Sequence, residues 1–128
     1  MNLVPSFFKN YAVAFKSAGN GILIALKEER NLRFHFLAVA AVSFLGAFLR
    51  ITDFEWLIIL LLFALVISME LINSAIERLC DYVQPEMNSQ IGKIKDISAG
   101  AVLWGSIIAF IAALILFVPK LDFLLSNN

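Results

Sequence analysis

Apolar residues dominate four stretches of the chain, and their spacing predicts four helices. In residues 5–30 apolar side chains recur at helical spacing while lysines occupy other faces, which predicts an amphipathic helix that lies in the headgroup layer or packs against a helical bundle. Three more strongly apolar runs follow, at about 32–49, 56–83 and 97–118, and each is long enough to cross a bilayer as a helix. The pattern therefore predicts a surface helix and three membrane helices.

Polar breaks separate the predicted spans. Residues 84–90 contain a proline and small polar side chains, which is typical of a loop, and Pro119 predicts the end of the third span. Composition supports a membrane protein, because 61% of the 128 residues are hydrophobic and 16% are charged, against about 45–50% and 25% in soluble proteins. We therefore expect a single-domain, all-α integral membrane protein, with no nucleic-acid partner.

The distribution of basic residues predicts the orientation of the spans. Eight of the ten Lys and Arg residues lie before or at the start of the first span, or between the last turns of the second span and the start of the third, and positive charge accumulates on the cytoplasmic side of membrane proteins. We expect a multi-pass protein of the inner (plasma) membrane with its N-terminus and the 78–96 region in the cytoplasm. The eight residues are Lys9, Lys16, Lys27, Arg30, Arg33, Arg78, Lys93 and Lys95.

A stripe of polar side chains interrupts the second span. Glu70, Asn73, Glu77 and Asp81 are spaced 3, 4 and 4 residues apart. On a helix they fall within an arc of roughly 80°. A carboxylate in or at the edge of hydrocarbon is costly and by default marks a functional site. These side chains need a cation, a proton or a hydrogen-bond donor opposite them.

Carboxylates at a cytoplasmic membrane surface predict a site for a hard divalent ion. Mg²⁺ binds proteins through one or two carboxylates together with phosphate oxygens, and Glu77 with one of Glu28 and Glu29 could supply that pair. Lys95 could neutralise phosphate charge, and Glu70, the deepest acid, could accept the proton of a lipid hydroxyl. The alternatives are a small oligomeric cation channel, and a structural membrane subunit in which Glu70 has no role.

Two polar runs in the second and third spans are recognisable. They read Glu70-Leu-Ile-Asn-Ser-Ala-Ile-Glu77 and Lys95-Asp96-Ile-Ser-Ala-Gly-Ala-Val, with Asp81 between them. They resemble the signature of the small prokaryotic diacylglycerol kinases, a family that includes undecaprenol kinases, and the resemblance extends from about residue 15 to 117. It implies a surface helix with three spans, a homotrimer with sites shared between subunits, and MgATP-dependent phosphorylation of a lipid alcohol at the cytoplasmic face.

The resemblance also implies roles for individual residues. Glu70 matches the family's catalytic base, and Glu29 and Glu77 match its metal-binding carboxylates. Nucleotide contacts are expected at Ser17, Glu29, Glu77, Glu86, Asn88, Lys95 and Asp96, and supporting or substrate contacts at Asn31, Glu70, Asn73, Asp81 and Ala99.

Two positions depart from the family pattern. The loop reads Glu86-Met87-Asn88 where many members carry an aromatic residue and a histidine, and position 99 is Ala where the diacylglycerol branch has Ser. Together with the run Glu28-Glu29-Arg30-Asn31, Ala99 favours undecaprenol over diacylglycerol as the lipid alcohol. We therefore expect a Mg²⁺-dependent lipid kinase that uses ATP, with diacylglycerol as the alternative substrate.

Overall fold

A computed structural model describes residues 3–86 and 88–126, with side chains from Asn10 onward, as four α-helices without a strand in those ranges. By length and composition, the last three helices could each cross a membrane. The predicted all-α fold with three candidate spans is therefore confirmed. The side chain of Lys9, one of the eight basic residues above, and Met87 of the loop lie outside the described residues. The helices are α1 (Leu3–Glu28), α2 (Arg30–Phe48), α3 (Asp53–Val83) and α4 (Ser89–Ser126).

The boundaries of α4 differ from those that the sequence predicts. The helix begins at Ser89, inside the predicted loop. The Asn88 side chain caps this start by accepting hydrogen bonds from the backbone N–H groups of Gln90 (2.9 Å) and Ile91 (3.4 Å). At its other end α4 continues through Pro119 to the last described residue. A proline removes one backbone donor, and membrane helices tolerate this where neighbouring groups or small local adjustments satisfy the freed carbonyl.

The connection between α2 and α3 is a tight turn closed by backbone hydrogen bonds. Arg50, directly after the C-cap of α2, has φ 49°, in the left-handed region. The N–H of Ile51 donates to the carbonyl of Gly46 (3.1 Å), and the N–H of Arg50 donates to that of Ala47 (3.2 Å). This pair of bonds is the Schellman motif, which satisfies carbonyls left open at a helix end.

The start of α3 is fixed by a capping box. The N–H of Glu55 donates to Thr52 Oγ1 (3.3 Å), and the N–H of Thr52 donates to Glu55 Oε2 (2.7 Å). The other oxygen of Glu55 forms an ion pair with Lys120 of α4 (3.0 Å). These contacts tie the first turn of α3 to the last part of α4, at the end of α3 that lies far from Glu70.

An apolar core forms at this same end of the bundle. Ile51, Ile59 and Phe117 are buried together, and apolar side chains from α2, α3 and α4 pack around them. Gly46 permits the packing, since a Cβ there would lie 2.9 Å from Ile51 Cδ1 and 3.1 Å from the Trp56 ring. Toward the other end of α3 most buried residues are polar, and these residues form the candidate site.

Most apolar side chains of the candidate spans face outward. Only 11% of the most apolar stretch of α2, and 17% of that of α4, is buried within the chain. Phe44 of α2, for example, is 76% exposed. A surface of this kind is incompatible with water, so that lipid or further copies of the chain must cover it.

The amphipathic helix α1 contacts the bundle near its C-terminal end. Its side chains from Asn10 to Ile24 are exposed, whereas Ala25 is buried. Leu32, in the first turn of α2, is completely buried as well. The junction of α1 and α2 is therefore held against α3, which places Glu29 beside the polar face of that helix.

Candidate active site

Three neighbouring polar residues of α3 are buried. Glu70, Asn73 and Ser74 are only 4%, 7% and 5% exposed, and their spacing places them on one face of the helix. Burying a carboxylate or an amide is unfavourable unless the group finds partners. The contacts of this face therefore show what it is built to hold.

A cavity of about 390 Å³ opens beside the polar face of α3. Five of the residues predicted from the sequence line it, namely Asn31, Glu70, Asn73, Glu77 and Ala99. Because Asn31 belongs to α2 and Ala99 to α4, three helices contribute to one chamber. The other lining residues are Phe34, His35, Val102, Leu103 and Ser106.

Glu29 occupies the break between α1 and α2. Its backbone is extended (φ −96°, ψ 115°) at the N-cap of α2, yet its side chain makes no capping hydrogen bond. The carboxylate reaches α3 instead, where Oε1 accepts hydrogen bonds from Ser74 Oγ (2.9 Å) and from Arg78 Nη2 (2.9 Å). The helix break thus brings a carboxylate from a distant part of the sequence to the polar face of α3.

Glu77 is oriented by Asn73, one turn earlier in the same helix. Asn73 Nδ2 donates to Glu77 Oε1 at 3.0 Å. Asn73 Oδ1 is buried without a hydrogen-bond partner among the described residues, and so is Ser106 Oγ. Both residues line the chamber. Buried polar atoms are nearly always satisfied, so these two oxygens are the exceptions among the buried side-chain atoms of the described residues.

The carboxylates at the polar face of α3 are of the kind that Mg²⁺ binds. Glu77 lines the chamber, whereas Glu29 does not and reaches the same helix through Ser74 and Arg78. Both carboxylates are hard oxygen ligands, which this ion prefers. Within residues 3–86 and 88–126, no group of three or more His, Cys, Asp or Glu side chains is arranged to hold a metal. Two carboxylates would supply only part of a Mg²⁺ coordination shell, and phosphate oxygens and water would take the remaining positions.

A second cavity, of about 480 Å³, lies at the connection between α3 and α4. Four predicted residues line it, namely Asp81, Glu86, Asn88 and Lys95. Lys95 Nζ pairs with Asp81 Oδ1, which links the first turns of α4 to the last turns of α3. The ammonium keeps further donors for a phosphate, since it carries three. The structure therefore brings the predicted loop contacts and Lys95 into one place.

Two predicted nucleotide contacts stand apart from these cavities. Ser17 is exposed on α1 and Asp96 is exposed on α4. Neither residue lines the chamber beside Glu70 or the cavity at the loop. Their roles stay predictions.

Ser74 and Arg78 belong to the site although the sequence pattern assigns them no role. Ser74 follows Glu70 by four residues on the same helix face, so helical spacing was a sufficient signal for it. Arg78 binds carboxylates that lie 49 and 50 residues away in the sequence. No local spacing indicates such a contact.

Comparisons with known proteins cover the same residues. The family profile described as prokaryotic diacylglycerol kinase matches residues 16–117, which include every candidate site residue. An undecaprenol kinase of Bacillus subtilis (strain 168) is 38% identical over 120 residues, 94% of each chain. A diacylglycerol kinase of Synechocystis sp. is 33% identical over 113 residues, which are 88% of this chain and 65% of the relative.

Proposed function

Because this chain belongs to the prokaryotic diacylglycerol kinase family and is a lipid kinase, we propose that it transfers the γ-phosphoryl group of ATP to the hydroxyl of a membrane lipid alcohol, with undecaprenol favoured over diacylglycerol. The observation that carries this proposal is the buried Glu70 in a chamber shared by α2, α3 and α4. A lipid hydroxyl can reach that depth from the membrane. The nucleotide can approach from the α3–α4 connection, where Lys95 lies.

Glu70 is the proposed general base. As the lipid oxygen attacks the γ-phosphorus, its proton passes to the Glu70 carboxylate. The bond between the γ-phosphorus and the β–γ bridging oxygen breaks at the same time, and ADP leaves. Catalysis of phosphoryl transfer rests mostly on positioning and electrostatics, and burial of Glu70 among three helices supports the first of these.

Glu29 and Glu77 are the proposed Mg²⁺ ligands. When bound, the ion supplies positive charge that neutralises the phosphates and their developing charge. The chain prepares both carboxylates for this role, since Asn73 holds Glu77 and Ser74 holds Glu29 through hydrogen bonds of 3.0 and 2.9 Å. Carboxylates oriented in advance lose less freedom when they bind the ion.

The nucleotide is proposed to contact the residues at the α3–α4 connection. Lys95 would contact the phosphates while its pairing with Asp81 limits the motion of its long side chain. Glu86 and Asn88 line the adjoining cavity. Ser17 and Asp96 complete the proposed nucleotide contacts. Asn31 and Ala99 are proposed to contact the lipid in the chamber beside Glu70.

The proposal includes the inner membrane as the location, with the N-terminus and the site in the cytoplasm. The basic residues before the first span and around the α3–α4 connection support this orientation. A homotrimer is also proposed. The outward-facing apolar side chains of the spans support it, because they leave surface for neighbouring copies as well as for lipid.

Phosphate transfer from labelled ATP in mixed micelles tests the proposed function. Undecaprenol and diacylglycerol are offered separately, with and without Mg²⁺. We expect Mg²⁺-dependent transfer with a preference for undecaprenol, which the near full-length similarity to an undecaprenol kinase supports. A preference for diacylglycerol would show that Ala99 does not discriminate between the lipids. Absence of transfer to either lipid, from protein shown to be folded, would refute the proposed reaction with both.

A further inference from the structure

Arg78 binds both carboxylates at the junction of α1 and α2. Its Nη1 donates to Glu28 Oε2 at 2.7 Å, and its Nη2 donates to Glu29 Oε1 at 2.9 Å. Its Nε donates to Ser74 Oγ at 3.5 Å, and that hydroxyl donates to the same Glu29 Oε1 at 2.9 Å. Arg78, Ser74 and Glu29 therefore form a closed ring of hydrogen bonds.

The ring holds the Glu29 carboxylate by a single oxygen. In the described part of the chain, its side-chain contacts with Ser74 and Arg78 both fall on Oε1. A carboxylate held in this way presents its second oxygen, Oε2, in a fixed direction. Partners that hydrogen-bond a metal-binding carboxylate orient it and tune its affinity for the ion.

Stability alone does not account for the guanidinium. The side chains of Arg78, Glu28 and Glu29 are 43%, 58% and 28% exposed, and ion pairs that are partly open to solvent contribute little to folding. The position of Arg78 is more informative, because it directly follows Glu77 and lies one turn beyond the buried Ser74. Arg78 thus ties the α3 segment that carries Glu77 to the carboxylate of Glu29.

We propose that Arg78 is a positioning residue, which holds Glu29 through Oε1 so that Oε2 faces Mg²⁺ together with Glu77. Glu28 binds the other nitrogen of the guanidinium, Nη1. Its proposed role is to orient Arg78 without contacting the ion. The inference rests on the proposed function, in which Glu29 and Glu77 are the ligands. The same experiment tests the opposite role, in which the Arg78 guanidinium occupies the place of the ion. In that case Arg78 would weaken metal binding, and removal of Arg78 would strengthen metal binding.

The test measures the dissociation constant of Mn²⁺ by electron paramagnetic resonance, on the full chain in detergent micelles with a non-hydrolysable ATP analogue. We expect Arg78→Ala to raise this constant about 10- to 100-fold. Arg78→Lys, which keeps the charge but loses the forked geometry, should give an intermediate value, and Glu28→Gln a smaller rise. Arg30→Ala is the matched control, since it removes the same charge beside Glu29 from an exposed position. It should leave the constant unchanged.

Substitution of Glu29 distinguishes failure of the positioning role from failure of the metal assignment on which it rests. If Glu29→Gln weakens Mn²⁺ binding and Arg78→Ala does not, the metal assignment holds and the positioning role is wrong. If Glu29→Gln binds Mn²⁺ as the unmodified chain does, both are wrong. A lower dissociation constant of Mn²⁺ in Arg78→Ala than in the unmodified chain also overturns the proposal. Circular dichroism checks that each variant is folded. If Arg78→Ala does not fold, Arg78→Lys and Glu28→Gln test the proposal instead, since both are expected to raise the dissociation constant of Mn²⁺.

Discussion

Asn73 donates its side-chain amide to Glu77 at 3.0 Å, while its own Oδ1 is buried without a hydrogen-bond partner in the described part of the chain. One side of the amide therefore orients a proposed metal ligand, and the other is closed to solvent. A buried acceptor left in this state costs roughly 1–3 kcal/mol.

We expect Asn73→Ala to lower kcat/KM roughly 10- to 100-fold. A hydrogen bond to a charged group contributes about 1.5–3 kcal/mol, and each 1.4 kcal/mol is about a factor of ten in rate. Steady-state kinetics in mixed micelles measures the effect. Asn20→Ala, which removes an exposed amide from α1, is the control and should retain full activity. Equal kinetics for both variants would contradict the role of Asn73.

Glu70→Gln is expected to lower kcat by about 10²–10⁴-fold, which is the usual contribution of a general base. The amide has nearly the same shape as the carboxylate but cannot accept the proton. Assembly should be unaffected, because the substitution removes a buried charge without creating a cavity. Single-turnover transfer from labelled ATP, with size-exclusion chromatography of the same sample, checks both statements. Full activity of Glu70→Gln would show that Glu70 is not the general base. Asp53→Asn, an exposed acid at the other end of α3, serves as control.

Glu77→Ala should raise the Mg²⁺ concentration needed for half-maximal activity about tenfold or more. Loss of one of two carboxylates weakens the ion's attachment, because only Glu29 and the phosphate oxygens then hold it. Activity is titrated with Mg²⁺ at saturating ATP. Recovery of most of the rate at high Mg²⁺ is part of the expectation, whereas an unchanged half-maximal concentration would exclude Glu77 as a ligand.

Gly46→Ala is expected to destabilise the fold by about 1–3 kcal/mol, as forced overpacking typically does. The new Cβ would meet Ile51 Cδ1 at 2.9 Å and the Trp56 ring at 3.1 Å. Gly19→Ala is the matched control, since a Cβ at that position has no neighbour within 4 Å and alanine favours the helix. Thermal unfolding in detergent should show a lower midpoint for Gly46→Ala and an equal or higher one for Gly19→Ala.

Arg50→Gly should stabilise the chain by about 0.5–1 kcal/mol. Arg50 has φ 49°, a conformation that costs an ordinary residue roughly 1–2 kcal/mol and glycine almost nothing, although glycine loses more chain entropy on folding. Arg50→Ala separates backbone relief from loss of charge, because alanine keeps the strain. The prediction is wrong if the two variants unfold at the same temperature.

Local patterns in the sequence were sufficient for the helices and for one face of the site. The length of the apolar runs predicts the spans, and a spacing of three and four residues predicts that Glu70, Asn73 and Glu77 share a helix face. All three line one chamber. These features depend on residues that are close in sequence, because helix geometry alone determines which of their side chains are neighbours.

Features that depend on hydrogen bonds between distant or irregular segments were beyond such patterns. Asn88, expected only as a nucleotide contact, also caps α4 and so lengthens that helix into the predicted loop. Pro119 does not end α4, because membrane helices can accommodate one missing donor. The ring around Arg78 joins α3 to a carboxylate 49 residues earlier, and only the packed fold brings them together.

The break at Glu29 has a consequence for the order of events during synthesis. Ser74 and Arg78 follow Glu29 by 45 and 49 residues, which is roughly 2–10 s of translation at 5–20 residues per second. During that interval α1 and α2 exist without the side chains that anchor their junction. Until α3 has been made, a nascent chain therefore lacks the partners that hold Glu29 at the proposed metal site.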